Sequence, residues 1–358
     1  MTGTDAGQSF RHVRPAGAET RVSGRPGFSL ARLRTLMTRA VAATELDLSG
    51  LTVLTEAATG AYAVTAVIAA MAGAAHVYAL TKPTRHGTVA DVRLQTLDLA
   101  AMLGVADRIE IVEEISLGVL QSVDIVTNSG HLRPLTAALI DQLRSDAVIA
   151  LMFEAWEFRR EDLDIEACAR RKIPVVGVNE RHPAVDVFSF LGPLSVKQLH
   201  DCGLAVYGSR IALLCDNDFL EPLRAGLAGA GASVETFNSV AAVHSDAWDA
   251  ILVALQPAAT LRIGVAEAAH LAACAPAGAV VVQFWGDMDR AALTRNGLAL
   301  WPAQPVGLGH MGILLSEIGP EPIVRLQTGG LRAAEWVRRG GAIKPDGFAQ
   351  LVPWQGLT

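Results

Sequence analysis

Cysteine is scarce in this 358-residue sequence: Cys168, Cys202, Cys215 and Cys274 stand alone, with no C-x-x-C spacing. That argues against a disulfide framework or a metal knuckle, so no metal is expected, and it fits a reducing compartment. Charged residues make up 18% and the net charge is −6. The sequence therefore has no electrostatic footprint for nucleic acid. Arg11, Arg14, Arg21 and Arg25 are dispersed among Gly, Pro and Ser, which reads as a flexible tail. The apolar run from Ala61 to Ala75 is too short to span a membrane and lies inside a strand–helix–strand pattern. The N-terminus lacks the apolar stretch of a secretion signal. The expectation is a cytoplasmic protein without a membrane partner.

What the sequence has is apolar residues, 51% of the total, in a chain long enough for two cores. Strand and helix patterns alternate along it, which argues for parallel sheets covered on both faces. Two segments read as the opening of a Rossmann-like half: Leu51 to Tyr62 and Ser209 to Leu223. Each runs from a short apolar strand through a turn into a helix. Such turns bind phosphates, because helix-start N–H groups point at the ligand and glycines admit it closely. Neither turn carries the full G-x-G-x-x-G. The first keeps Gly60; the second has Asp216 and Asp218 and no glycine. Two acidic residues would repel a pyrophosphate, so a dinucleotide is expected at the first turn.

The fold expected is α/β: two Rossmann-like, doubly wound parallel-sheet domains with an interdomain cleft. The boundaries read as a tail over 1–28, a first domain over 29–202 and a second over 203–321. A C-terminal helix and tail, 322–358, return to the first domain. A long helix is expected over Ala184 to His200.

Residues able to do chemistry cluster after predicted strands, where ligands of open α/β sheets bind. Thr59 and Gly60 suit a phosphate or carboxylate. Lys82 and Arg85 follow the second strand, where a basic residue accommodates a ribose 2′-phosphate, so NADP or NAD is the expected cofactor. Asn128, His131 and Arg133 follow the strand that ends at Thr127. The imidazole exchanges protons near neutral pH and the guanidinium clamps carboxylates. Glu154, Trp156, Glu157 and Arg159 put two carboxylates, an aromatic ring and a cation at one strand end. Paired carboxylates can hold different pKa values and act as acid and base. Asn179, Glu180 and His182 flank the presumed hinge. Each group also has a purely structural reading, as a helix cap, a solvated loop or an interdomain ion pair.

The segments IPVVGVNERHPAVDVFSFLGPLSVKQL, WDAILVALQP, PAGAVVVQFWGDMDRAAL and GLGHMG are similar to the crossover, nucleotide-domain strands and histidine loop of the D-2-hydroxyacid dehydrogenase (formate/glycerate dehydrogenase-like) superfamily. The resemblance covers roughly residues 123–340. It implies that His310 is the catalytic histidine. Trp285 stands in place of the family's substrate-binding arginine, and Gln304-Pro305 in place of its Glu-Pro.

The reading that follows is an NAD(P)-linked oxidoreductase acting on a small polar metabolite in the cleft. Its catalytic groups are Glu154, Glu157, Glu180, His182 and His310, and its substrate contacts His131, Arg133, Trp156, Arg159, Asn179 and Trp285. The alternative is a non-redox member of the same scaffold, either a metabolite-binding protein or a lyase or isomerase. A homodimer is compatible with both.

Overall fold

The computed structural model describes residues 25–84 and 87–352. Arg85 and most of the N-terminal tail lie outside the described residues. Twelve strands in this region form two sheets. The first sheet contains β1 Thr52–Glu56, β2 His76–Leu80, β3 Ile109–Val112, β4 Ile125–Thr127, β5 Val148–Ala150, β6 Val175–Val178 and β12 Ala349–Leu351. Their order is β12-β6-β5-β4-β1-β2-β3, and all run parallel except β12. The second sheet contains β7 Arg210–Cys215, β8 Ser233–Phe237, β9 Ala250–Ala254, β10 Val280–Trp285 and β11 Ala299–Trp301. It is wholly parallel, in the order β11-β10-β9-β7-β8. The fold is thus the expected pair of doubly wound α/β sheets.

The central strands are apolar on both faces because helices cover both. β4 is buried at all three positions and β9 at all five. Each sheet accordingly has two cores, one per face. The helix Glu321–Arg338 packs on the first sheet, where Gly329 and Gly330 let it approach Val185 and Met152 closely. No described helix is long and apolar enough to cross a membrane.

Two sequence expectations differ from the structure. The long helix over Ala184 to His200 is only Leu191–Asp201, preceded by one 3-10 turn, Phe188–Phe190. Asp186 sits at φ +46°, which breaks any helix through it. That shorter helix, assigned by sequence to the first domain, joins the core of the second sheet through Leu191, Leu194 and Leu199. Gly192 and Gly226 let it meet the helix Leu220–Gly229 backbone to backbone.

Candidate functional site

In both sheets the strand order reverses at one point, between β1 and β4 in the first and between β7 and β9 in the second. Ligands of open α/β sheets bind in the crevice beyond the strand ends at such points. The two crevices differ sharply.

The first is open. A cavity of about 750 Å³ lies there, within the usual range for a small-molecule site. It runs from Thr84, beyond β2, past the turn after β1 (Glu56, Thr59, Gly60, Tyr62) and the turn after β4 (Ser129, Gly130, His131, Arg133), to Phe153 and Arg159 beyond β5. Glu317, Leu326 and Gln327 close the far side. Gly60 has φ +67°, and a β-carbon there would meet nothing, so the backbone is exposed to an incoming group. Its N–H donates to Gln95 Oε1 at 3.1 Å.

Two guanidiniums line the β4–β5 end. Arg133 donates to the Asn128 carbonyl through Nε (2.9 Å) and Nη2 (2.7 Å) and lies 5.2 Å from the Phe153 ring centre. Arg159 lies 5.8 Å from the same ring. They share one carboxylate, Asp162, at 3.7 and 3.1 Å. Glu56 is the other carboxylate that interacts with Arg133. His131 adds an imidazole whose pKa is lowered, first by burial and then by Lys82. Burial raises the pKa of Glu56, against the opposing pull of Arg133 and a hydrogen bond from the His131 main-chain N–H. A chain of hydroxyls, Thr55–Thr127–Ser129, runs at 2.8 Å steps to the cavity floor.

At the second crevice the turn after β7 is tied down by its own hydrogen bonds, although Asp216 and Asp218 are exposed. Asp216 accepts from the Gln256 N–H at 2.9 Å and from Arg262 Nη2 at 2.7 Å. Asn217 donates to the Ala254 carbonyl (2.7 Å) and accepts from the Phe219 N–H (3.0 Å). The Phe219 N–H and the Leu220 N–H are both engaged by Asn217. Asp216 is paired with Arg262 at 2.7 Å. G-x-G-x-x-G spacing does occur at Gly307–Gly312, but in coil, not between strand and helix. There Gly309 N–H donates to Asp287 and Gly312 N–H to the Phe284 carbonyl.

The expected site residues fall into separate groups. Thr59, Gly60, His131, Arg133 and Arg159 line the first cavity. Lys82 is exposed beside His131. Asn128 is fully buried and holds Arg133 through its carbonyl; its side-chain amide has no hydrogen-bond partner among the described residues. His310 is exposed, with both ring nitrogens 3.4 Å from Arg159 Nη1.

Glu154, Glu157 and Glu180 are not in the cavity lining. They form a carboxylate cluster at the seam between the sheets. Glu154 is fully buried and accepts from the Glu180 N–H (3.1 Å) and the Trp156 indole. Glu157 accepts from the Glu154 N–H at 3.4 Å. Burial pushes Glu157 up to about 7 and Glu180 well above the carboxylate range, with mutual repulsion adding to it. Trp156 packs on Trp285 (5.4 Å between ring centres) and Phe219 (6.2 Å), while Arg181 pairs with Asp218 across the seam. Trp285 is 5% exposed and donates to the Gly309 carbonyl.

Asn179 and His182 serve the first-sheet edge. Asn179 bonds Phe348 and Gly347, and the His182 ring stacks on Phe348 at 3.8 Å. One cleft is expected for Glu154, Glu157, Asn179, Glu180 and His182 because they follow strands, and for His310 because of the position the resemblance gives it. The sheet order, which sequence does not give, separates them. Glu56, Gln95, Asp162 and Gln327 are not among the expected site residues. Only Glu56 carried a signal: a charge closing an otherwise apolar strand.

No protein-family model matches this sequence, and no curated protein does. Solved structures do. A dipicolinate synthase polypeptide from Bacillus halodurans superposes with a TM-score of 0.52 at 11% identity, covering 79% of this chain and 96% of that one. Its counterpart in the dipicolinate synthase of Bacillus subtilis gives 0.51 at 12% identity, over 83% and 99%. An NAD-dependent formate dehydrogenase from Staphylococcus aureus, solved with NAD, gives 0.45 at 12%, over 83% and 98%. The likeness is one of fold.

Proposed function

We propose that this protein is an NAD(P)-linked oxidoreductase-like enzyme acting on a small, carboxylate-bearing metabolite, with both ligands seated in the first-sheet crevice. The observation that carries this reading is the contrast between the two switch points: one holds an elongated cavity with two guanidiniums on its wall, the other a turn whose Asp216 pairs with Arg262 and whose Asn217 bonds its neighbours. The cavity reaches from the β2 end to the β5 end, the track a dinucleotide follows on such a sheet.

The residues present fit that cofactor. Thr84 and Lys82 stand at the ribose end, and Gly60 has no side chain to block the pyrophosphate position, where a phosphate would replace Gln95 as acceptor of its N–H. A nicotinamide there would exchange a hydride, one proton with two electrons, with the substrate carbon. Arg133 and Arg159 hold the substrate carboxylate, their planes fixed by Asp162 and the Phe153 ring. His131 is kept largely neutral by burial and Lys82, so its ring nitrogen can take or return a proton. Phe153 and Leu326 exclude water from the far wall.

A second reading, a non-redox protein of the same scaffold, is favoured by one observation: the turn after β7, tied down by its own hydrogen bonds, belongs to the part of the chain that resembles the superfamily's nucleotide domain. Equilibrium binding separates the two. Under the first reading, NADPH at about a hundred times its Kd raises stability by about 2.7 kcal/mol. Under the second, neither NADPH nor NADH shifts the melting temperature.

A further inference from the structure

Glu56 closes β1 and contributes to the cavity wall, although it is only 6% exposed. Its place is fixed from two sides. A β-carbon at Gly130 would fall on the Glu56 carboxylate, so only glycine leaves room for it. The His131 main-chain N–H donates to it.

Around it the wall is built of donors. The guanidiniums of Arg133 and Arg159 face the same cavity. Gln327 has its carbonyl oxygen taken by the Thr65 hydroxyl at 3.0 Å, which leaves its amide N–H groups for the cavity. The other carboxylate in the lining, Glu317, is paired with Arg25 at 3.3 Å. A donor-rich wall takes an acceptor-rich, anionic ligand. An ionised Glu56 would oppose that ligand at short range, whereas a protonated one is a further donor.

We infer that Glu56 is a specificity-determining group of this cavity: an anionic ligand enters together with one proton, which resides on the Glu56 carboxyl. This rests on the first-sheet crevice being the ligand site. Burial already raises the proton affinity of Glu56, and an adjacent anion raises it further. The charged and titratable groups facing it are known. Arg133, from the β4 turn, opposes the shift. Tyr62, from the turn Gly60–Ala63, is pushed up to about 12, first by burial and then by Glu56, and stays neutral. Arg159 and Glu317, the latter paired with Arg25, are the other charged groups of the lining. His131, under the influence of Lys82, is the other group that titrates, and a variant separates its contribution.

The test is calorimetric titration of the full chain with NADPH, inorganic pyrophosphate and oxalate, across pH and in two buffers of different ionisation heat. For the wild type, affinity should fall by up to about tenfold per pH unit once Glu56 ionises, with about one proton taken up per ligand bound. Glu56→Gln should bind at high pH with no such slope and no proton uptake. His131→Asn should keep the slope. The inference is overturned if Glu56→Gln keeps both slope and uptake, or if the wild type shows neither. Infrared difference spectra of the wild type need no variant: ligand addition should increase the protonated-carboxyl band, and no increase overturns the inference. Pyrophosphate or oxalate binding with a proton while NADPH does not bind rejects the dinucleotide reading and keeps Glu56 in its role. No binding by any probe rejects both.

Discussion

Asp216 holds Arg262 at 2.7 Å across the second switch point and accepts from the Gln256 amide at 2.9 Å. Burial alone would raise the Asp216 pKa, but the Gln256 and Arg262 bonds outweigh it and hold the group below its ordinary value. A lowered folded-state pKa stabilises the protein above the unfolded carboxylate pKa, and that stability is lost as pH falls through the folded value. Asp216→Asn should therefore destabilise the protein by about 1–2 kcal/mol at neutral pH, less in acid, and leave NADPH affinity unchanged. Denaturant unfolding at two pH values, with one binding titration, checks this.

Gly130 and Gly60 both sit at positive φ, yet alanine should affect them unequally. At Gly60 the new methyl meets open space and only the left-handed backbone strain remains, about 1–2 kcal/mol. At Gly130, with φ +40°, the methyl collides with the Glu56 carboxylate as well, and overpacking brings the total to about 3 kcal/mol or more. Thermal melts of the two variants should rank in that order. Equal losses would mean that Glu56 moves aside freely.

The seam carboxylates give the protein a pH dependence of the opposite sign to that of Asp216. Glu157 at about 7, and Glu180 higher, keep protons in the folded chain that the unfolded chain has already released. Their contribution is full below the unfolded carboxylate pKa of about 4.3 and is lost as pH rises through the folded values. Glu157→Gln keeps an acceptor for the Glu154 N–H and removes one titration. Its melting temperature should fall less between pH 5 and about 8 than that of the wild type. Parallel curves would count against a buried, protonated Glu157.

Much of the fold is legible in the sequence because it is written in local periodicity. The strand at Ser233–Phe237 and the helix starting near Pro322 can be read from apolar spacing and flanking glycines. β11 and β12 cannot: Ala299–Trp301 and Ala349–Leu351 are three residues each, too short for a period to register. The cavity is half legible. Gly60, His131 and Arg133 declare themselves as turn residues after strands. Glu56 and Gln327 become site residues only when β1 and the helix Glu321–Arg338, some 270 positions apart, meet across one space. Asp216 shows the same limit from the other side. Sequence shows its charge, but the Arg262 that neutralises it lies 46 residues on.

The central claim is that the first-sheet crevice, not the second, receives the ligand. A crystal structure grown with NADPH tests it most directly. The account predicts density running from Thr84 past Gly60 to Arg133 and Arg159, with the Asp216–Arg262 pair intact. Density along the turn Cys215 to Asp218, with that pair broken, would contradict it.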